Sequence, residues 1–313
     1  MPFDPIPAPS ASDVDEPACA THPSKPVAVN FHLWRPCNDA CTFCFATFDD
    51  VRGHLTAEDA VRLIGVLRAA GTEKLNFAGG EPTLCPYLGE VLREARAQGL
   101  VVTIISNGFA LEALLECQAG DLDWVGLSVD SAVEQVQAAL GRGRGNHVAR
   151  TTKLFDLVHA YGLRAKLNTV VTARTWDEDM TAFVRRVRPH RWKVFQVLPV
   201  GGQNDGRVEP LLIAPAQFRA FVDRHLPLGA EGFAPVVEDN AAMTASYVMI
   251  DPLGRFFSNA TGRHVYSKPI LDVGVEAALE QITWDAGKFV ERGGLYDWSQ
   301  IISPMSLVSR RRG

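Results

Sequence analysis

From residue 27 onward, short apolar runs alternate with stretches of helical periodicity. Runs of aliphatic, β-branched and aromatic residues bounded by polar or glycine-containing turns predict six strands, at residues 27–33, 74–78, 101–106, 124–129, 164–171 and 191–198. Residues 56–70 read as a helix, with Thr56 as its cap, acids in its first turn, and Val61, Ile64 and Leu67 on one face. Residues 87–98, 151–161 and 177–187 repeat that spacing. Strand followed by helix, about six times over, predicts an α/β fold with a parallel sheet, a partial (βα)6 barrel rather than a closed eightfold one. Active residues are then expected at the C-terminal ends of the strands. Residues 199–313 lose the alternation, keeping a strand at 247–250 and a helix at 270–279, and are expected to form an extension covering the barrel mouth. The chain thus divides into 1–26, rich in Pro, Ala, Ser and Asp and expected to be disordered, 27–198, the barrel, and 199–313, the extension.

Composition changes this picture in a few places. A formal net charge of −5 supplies no global basic field, which counts against nucleic acid or an anionic membrane as the main partner. No segment approaches the roughly 18–20 apolar residues of a membrane span, and no charged-then-apolar signal opens the chain, so a cytoplasmic location is expected. Of six cysteines, Cys37, Cys41 and Cys44 fall within one short segment, a pattern of metal binding in a reducing compartment rather than of a disulfide framework. Cys19, Cys85 and Cys117 lie apart and read as ordinary free thiols. The tail Ser309-Arg-Arg-Arg-Gly313 reads as a solvated basic end.

The segment Cys37-Asn-Asp-Ala-Cys41-Thr-Phe-Cys44 follows the first strand. Three thiolates ligate three irons of a cubane and leave the fourth open to a chelating ligand, the arrangement that inner-sphere electron transfer needs. A closed zinc site would want a fourth ligand, and His32 and His54 lack the pairing of a zinc finger. With Phe43 as its aromatic, the motif resembles the Cys-x-x-x-Cys-x-aromatic-Cys signature of the radical S-adenosylmethionine (SAM) superfamily. The resemblance implies a [4Fe–4S] cluster on Cys37, Cys41 and Cys44 and SAM as the second cofactor, its adenine near Phe43, with Phe45 a further cofactor-binding candidate. Phe77-Ala-Gly79-Gly80-Glu81-Pro82 follows the second strand, where paired glycines let backbone approach a ligand closely. By the same resemblance this turn, with Glu81, holds the methionine amine. Ser106 and Asn107, then Ser128, stand at ribose and carboxylate positions, and Arg142 would pair the methionine carboxylate through its fork.

Three strands carry cations where apolar residues are expected: Lys74 beside Asn76, Arg164 with Lys166 and Asn168, and Arg191 with Lys193. The outer face of a barrel strand must be apolar beneath its helices, so these side chains are expected to point inward. Buried cations need anionic partners, and the strands supply few, which favours an anionic ligand such as a polyphosphate.

The same residues resemble the viperin family more closely. The likeness rests on Val29-Asn30-Phe31-His32, on Lys74 to Pro82, on Lys166-Leu-Asn168 and on Arg191-Trp-Lys-Val-Phe-Gln196. It continues through Asn146-His147, Ser246-Tyr-Val-Met-Ile-Asp251, Ser267-Lys-Pro-Ile-Leu-Asp-Val-Gly274 and Arg292-Gly-Gly-Leu-Tyr-Asp-Trp298. That family converts a ribonucleoside triphosphate to its 3′-deoxy-3′,4′-didehydro form, an antiviral chain terminator. The resemblance implies that a 5′-deoxyadenosyl radical takes hydrogen from C4′, that water is lost from C3′, and that a one-electron donor such as flavodoxin or ferredoxin serves the enzyme. It also implies roles for residues. Lys74, Lys166, Arg191 and Lys193 would grip the triphosphate, with Lys268 and Arg292 adding contacts, while Asn30, His32, Asn76 and Asn168 lie near ribose or base. Tyr247 would help quench the substrate radical. Unlike vertebrate viperins, the chain shows no N-terminal amphipathic membrane helix and no aromatic tail, and 259–266 differs where the base would lie, leaving CTP, UTP and GTP open. Two other readings stand beside this one: a radical SAM enzyme acting on a peptide or a cofactor precursor, and a non-catalytic metal protein that binds a partner.

Overall fold

A computed structural model describes residues 25–298. The expectations for Cys19, for the basic tail and for nearly all of 1–26 lie outside the described residues.

Ten strands form one sheet, in the order β10-β9-β8-β1-β2-β3-β4-β5-β6-β7. The six expected strands are β1 (Ala28–Trp34), β2 (Lys74–Gly79), β3 (Val101–Ser106), β4 (Trp124–Ser128), β5 (Arg164–Val171) and β6 (Arg191–Gln196), each parallel to the next. Their alternation explains the layering. Leu75 and Phe77 on β2, Ala165 and Leu167 on β5, and Trp192 and Val194 on β6 are buried beneath the helices, while the residues between them face the interior. Each fully buried large apolar side chain contributes about 1.5–3 kcal/mol.

Outside the sheet run α1 (Ala57–Ala69), α2 (Leu88–Ala97), α3 (Leu111–Gln118), α4 (Glu134–Ala139), α5 (His147–Ala160) and α6 (Thr181–Val187). Helix α1 is capped as expected, the Thr56 hydroxyl accepting from the Asp59 backbone N–H, and it buries Ala60, Leu63, Ile64 and Leu67. Helices α3 and α4 were not foreseen. Both are short, and neither has a side-chain cap to announce it.

The extension does more than cover. Part of it lies on the mouth: Gln203 Oε1 accepts from Phe48 N at 2.7 Å, and Asn204 Nδ2 donates to Phe43 O at 3.0 Å. The rest widens the sheet at both edges. After α7 (Pro215–His225), strand β7 (Pro235–Glu238) pairs parallel to β6, and after α8 (Asn240–Met243), strand β8 (Val248–Ile250) pairs parallel to β1. Strands β9 (Arg255–Ser258) and β10 (Val265–Pro269) add an antiparallel flank. The parallel run therefore spans eight strands, six from the repeat and two from the extension. The helix expected over 270–279 is two, α9 (Ile270–Val273) and α10 (Val275–Leu279), broken where Gly274 takes φ +85°; α11 (Ala286–Glu291) follows. No described helix is long and apolar enough to cross a membrane.

Candidate active site

One cavity of about 860 Å³ runs through the barrel. Cys37, Cys41 and Cys44 line it at the end where the strands finish, and Lys74, Lys166 and Arg191 line it where they begin. Lys74 and Gly80 lie six positions apart along one strand and its exit, about 20 Å at the usual rise.

The cysteine loop is clamped by glycines. A Cβ on Gly79 would lie 2.3 Å from Trp34 O, one on Gly80 2.2 Å from Arg35 O, and one on Gly141 2.2 Å from Ala40 O. Backbone N–H groups of Ala40 and Thr42 donate to Gly141 O and Leu140 O at 3.0 and 3.1 Å, which fixes the loop from the other side. All three thiols are free. Burial is the main cause that pushes them up, Cys37 to about 11 and Cys41 to about 12, with Cys44 also raised, while the Arg142 guanidinium opposes the shift at Cys41 and Cys44. Among the described residues no three His, Cys, Asp or Glu side chains converge as a single-ion site. A cubane, which gives each thiolate its own iron, asks for no such convergence, so three cavity-lining thiols without a fourth ligand fit a [4Fe–4S] cluster.

Around this loop Phe43, Phe45, Gly79, Gly80, Ser106, Asn107, Ser128 and Arg142 all line the cavity, as the sequence led us to expect. Glu81 does not. Its carboxylate is buried and accepts from Thr83 N (3.0 Å), Thr83 Oγ1 (2.6 Å), Ser106 Oγ (2.7 Å) and Asn107 N (2.7 Å), so it ties the Gly-Gly turn to the end of β3. Arg142 is also committed. Its Nε donates to Asp130 Oδ2 at 2.6 Å, and its guanidinium lies 5.7 Å from the Phe43 ring centre, so a methionine carboxylate would share it with Asp130.

Midway down the barrel stand three amides. Asn76 Nδ2 donates to Asn30 Oδ1 at 2.9 Å, whereas Asn76 Oδ1 and Asn168 Oδ1 are buried without a partner. Both residues line the cavity, and buried acceptors of this kind call for donors. His32 also lines the wall, but it sits among Phe45, Phe48 and Phe257 with ring centres 5.4–5.9 Å away. Burial, then the neighbouring His264, lowers it to about 3, so it is neutral and shapes the wall as an aromatic.

At the floor the strand cations converge as expected, with one exclusion: Arg164 does not line this cavity, its guanidinium lying 5.1 Å from the Trp124 ring centre and donating to Asp297 O at 3.1 Å. Lys193 Nζ lies 2.6 Å from Glu238 Oε1 and donates to Tyr247 Oη at 2.6 Å, and Arg292 Nη1 lies 3.5 Å from the same carboxylate. The Tyr247 hydroxyl donates to Glu238, and the Arg292 guanidinium stacks 3.6 Å from the Tyr247 ring centre. Among the described residues no carboxylate lies within ion-pair distance of Lys74, Lys166 or Arg191. Desolvation is the first cause lowering Lys74 to about 7 and Lys193 to about 8; Lys166 falls well below its usual value, pressed also by Lys74.

Lys268 is misplaced by sequence reasoning: it is exposed on β10 and does not line the cavity. Glu238 and Tyr296, which meet the floor cations, were missed. Their cue lies in the remote segments that carry them, which no periodicity connects to the barrel. Cys85 is buried and Cys117 exposed, both free.

The barrel, the clamped three-cysteine loop and the Gly-Gly turn define a radical SAM site. A profile described as the Radical SAM superfamily matches residues 33–187. A protein of Flammeovirga pacifica named S-adenosylmethionine-dependent nucleotide dehydratase is 42% identical over 87% of this chain and 96% of its own length. One of that name from Lacinutrix mariniflava is 42% identical over 88% of this chain, which spans 60% of that relative. The Danio rerio protein named S-adenosylmethionine-dependent nucleotide dehydratase RSAD2 is 36% identical over 88% of this chain and 79% of its own. The chain belongs to the family of S-adenosylmethionine-dependent nucleotide dehydratases, enzymes whose cofactors are a [4Fe–4S] cluster and SAM. Solved structures agree on the fold: native anSMEcpe with bound AdoMet superposes with a TM-score of 0.64 at 16% identity over 85% of this chain and 83% of that one. Streptococcus suis SuiB bound to S-adenosylmethionine gives 0.63 at 18% identity over 74% of this chain and 60% of that one.

Proposed function

We propose that this enzyme removes water from a ribonucleoside triphosphate, CTP, UTP or GTP, to give the 3′-deoxy-3′,4′-didehydro nucleotide, a chain terminator that acts against viral polymerases. The observation that carries the reading is the order of groups down the cavity: three thiols, then two amide oxygens without donors, then Lys74, Lys166 and Arg191, which have no carboxylate at ion-pair distance among the described residues. A nucleotide has the complementary order, with ribose hydroxyls to donate to Asn76 and Asn168 and a triphosphate to accept from Lys74, Lys166, Arg191, Lys193 and Arg292. A peptide would match it only with a run of acidic side chains.

When bound, the cluster and SAM supply the 5′-deoxyadenosyl radical that takes hydrogen from C4′. Gly79 and Gly80 with Ser106, Asn107, Ser128, Arg142 and Phe43 would hold SAM against the cysteine loop, and the phosphate grip at the floor would place the ribose below it. Tyr247 keeps its phenolic proton, since burial raises its pKa well above the usual value, and its oxygen accepts from Lys193 while donating to Glu238. In this reading its proton goes to the 3′-hydroxyl as that group leaves as water, and the single electron that completes the dehydration comes from the reduced donor. A one-electron protein donor such as flavodoxin or ferredoxin would serve the cluster, and we place the enzyme in the cytoplasm.

The test is an anaerobic incubation of reconstituted protein with dithionite, SAM and each nucleoside triphosphate in turn. A product lighter by one water from one triphosphate is expected. SAM cleavage at one slow rate whatever nucleotide is present would overturn the reading.

A further inference from the structure

The floor of the cavity is a strap, residues 293–298, that follows α11 and crosses beneath the strand starts. Arg191 Nη2 donates to Gly293 O at 2.8 Å, Arg164 Nη1 to Asp297 O at 3.1 Å, and Trp124 Nε1 to Trp298 O at 3.3 Å, so barrel side chains hold its backbone at three points. Tyr296 projects from the strap into the cation cluster. Its ring centre lies 4.0 Å from the Arg191 guanidinium and 4.3 Å from Lys74 Nζ, with Lys166 Nζ at 5.5 Å, and Lys74 donates to its hydroxyl oxygen. Trp124 and Trp298 meet the ring edge-on at 5.8 and 5.5 Å. A ring held by three cations and two indoles is a fixed wall, because moving it would expose every one of those contacts.

Beyond that wall lies a second cavity of about 610 Å³. Tyr296 and Arg191 line both cavities. The tyrosine is therefore the partition where a chain of phosphates laid along Lys193, Lys166 and Lys74 must stop. Its oxygen accepts from Lys74, and burial raises its pKa to about 12, so the hydroxyl keeps a proton to donate.

We propose that Tyr296 is the residue that counts phosphates: its hydroxyl donates to the terminal phosphate of a nucleoside triphosphate, and its ring closes the cavity against longer chains. This rests on the triphosphate reading of the same site. A diphosphate would end one phosphate short of the hydroxyl, and a tetraphosphate would need the space behind the ring.

The experiment measures equilibrium binding of the tri-, di- and tetraphosphates of cytidine, uridine and guanosine to the reconstituted enzyme, and follows the base that binds tightest. The wild-type protein should prefer the triphosphate to the diphosphate. In Tyr296→Phe, which keeps the ring, that preference should fall roughly tenfold, the worth of one hydrogen bond to a charged group, through weaker triphosphate binding alone. In Tyr296→Ala, which opens the partition, tetraphosphate binding should gain on triphosphate. Equal losses for di- and triphosphate in Tyr296→Phe would mean that the tyrosine merely holds the strap, and would overturn the proposal even if triphosphates bind. Failure of every triphosphate to bind the wild-type protein would instead bring down the reading of the cavity itself.

Discussion

At the mouth of the barrel, three thiols and a Gly-Gly turn are packed so closely that no side chain fits at Gly79, Gly80 or Gly141. At the floor, five cations are gathered around a single paired carboxylate, Glu238, among the described residues. The mouth is built by backbone and tolerates no substitution of shape. The floor is built by side chains, and three of its cations, Lys74, Lys166 and Arg191, have no carboxylate at ion-pair distance among the described residues. Two ends of one cavity thus teach different things: shape at the mouth fits the cofactors, and unbalanced charge at the floor calls for an anionic ligand.

The comparison breaks most severely at the mouth. Replacing Cys41 with Ala should abolish iron binding and SAM cleavage together, measured by iron content and by 5′-deoxyadenosine formation; an iron-loaded, active variant would remove the cysteine loop from the account. At the floor, Glu238→Gln leaves Lys193 and Arg292 without their carboxylate and should lower stability by about 3–5 kcal/mol in urea unfolding. A loss below about 1 kcal/mol would show that the floor cations need no counter-charge from the protein. Lys166→Ala should weaken triphosphate binding by about 10–100-fold while leaving nucleotide-free SAM cleavage at its basal rate. Unchanged affinity would place the phosphates elsewhere.

The smallest effect is in protons. Burial lowers Lys74 to about 7 and Lys193 to about 8, and a polyphosphate would raise both. Above about pH 7 the free enzyme must then take up protons as nucleotide binds, so affinity should fall as pH rises. Calorimetry at pH 8 in two buffers of different ionisation enthalpy should show net uptake, and none would indicate that the ammonium groups are already charged. Without nucleotide the sign is opposite for stability. The folded pKa of Lys74 lies below the unfolded one, so between about 7 and the usual lysine value the unfolded chain binds more protons, and stability gains as pH increases.

Sequence reading reached the two ends unequally. Strand β3 falls at the expected 101–106, and the cysteine loop and Gly-Gly turn are local motifs whose spacing alone places them after β1 and β2. The floor was legible as an anomaly, because Lys74, Lys166, Arg191 and Lys193 stand where a barrel strand should be apolar, and the pleat directs them inward. What closes the floor was not legible. Glu238 ends a four-residue strand that begins with proline, and Tyr296 follows a short helix near the end of the described chain; neither shows a pattern that couples it to the barrel. Glu81 carries the same lesson at the mouth. Its motif is local, but the Ser106 and Asn107 groups that occupy it arrive from the next strand. Lys268 shows the converse, a motif residue that the β10 edge leaves in solvent.

The central claim is that the cysteine mouth and the cation floor serve one nucleotide. The most direct measurement is to supply the preferred triphosphate carrying deuterium at C4′ and to follow the label under anaerobic turnover. Deuterium in 5′-deoxyadenosine, with a dehydrated nucleotide formed in equal amount, is the predicted result. Unlabelled 5′-deoxyadenosine formed alongside an unchanged nucleotide would contradict it.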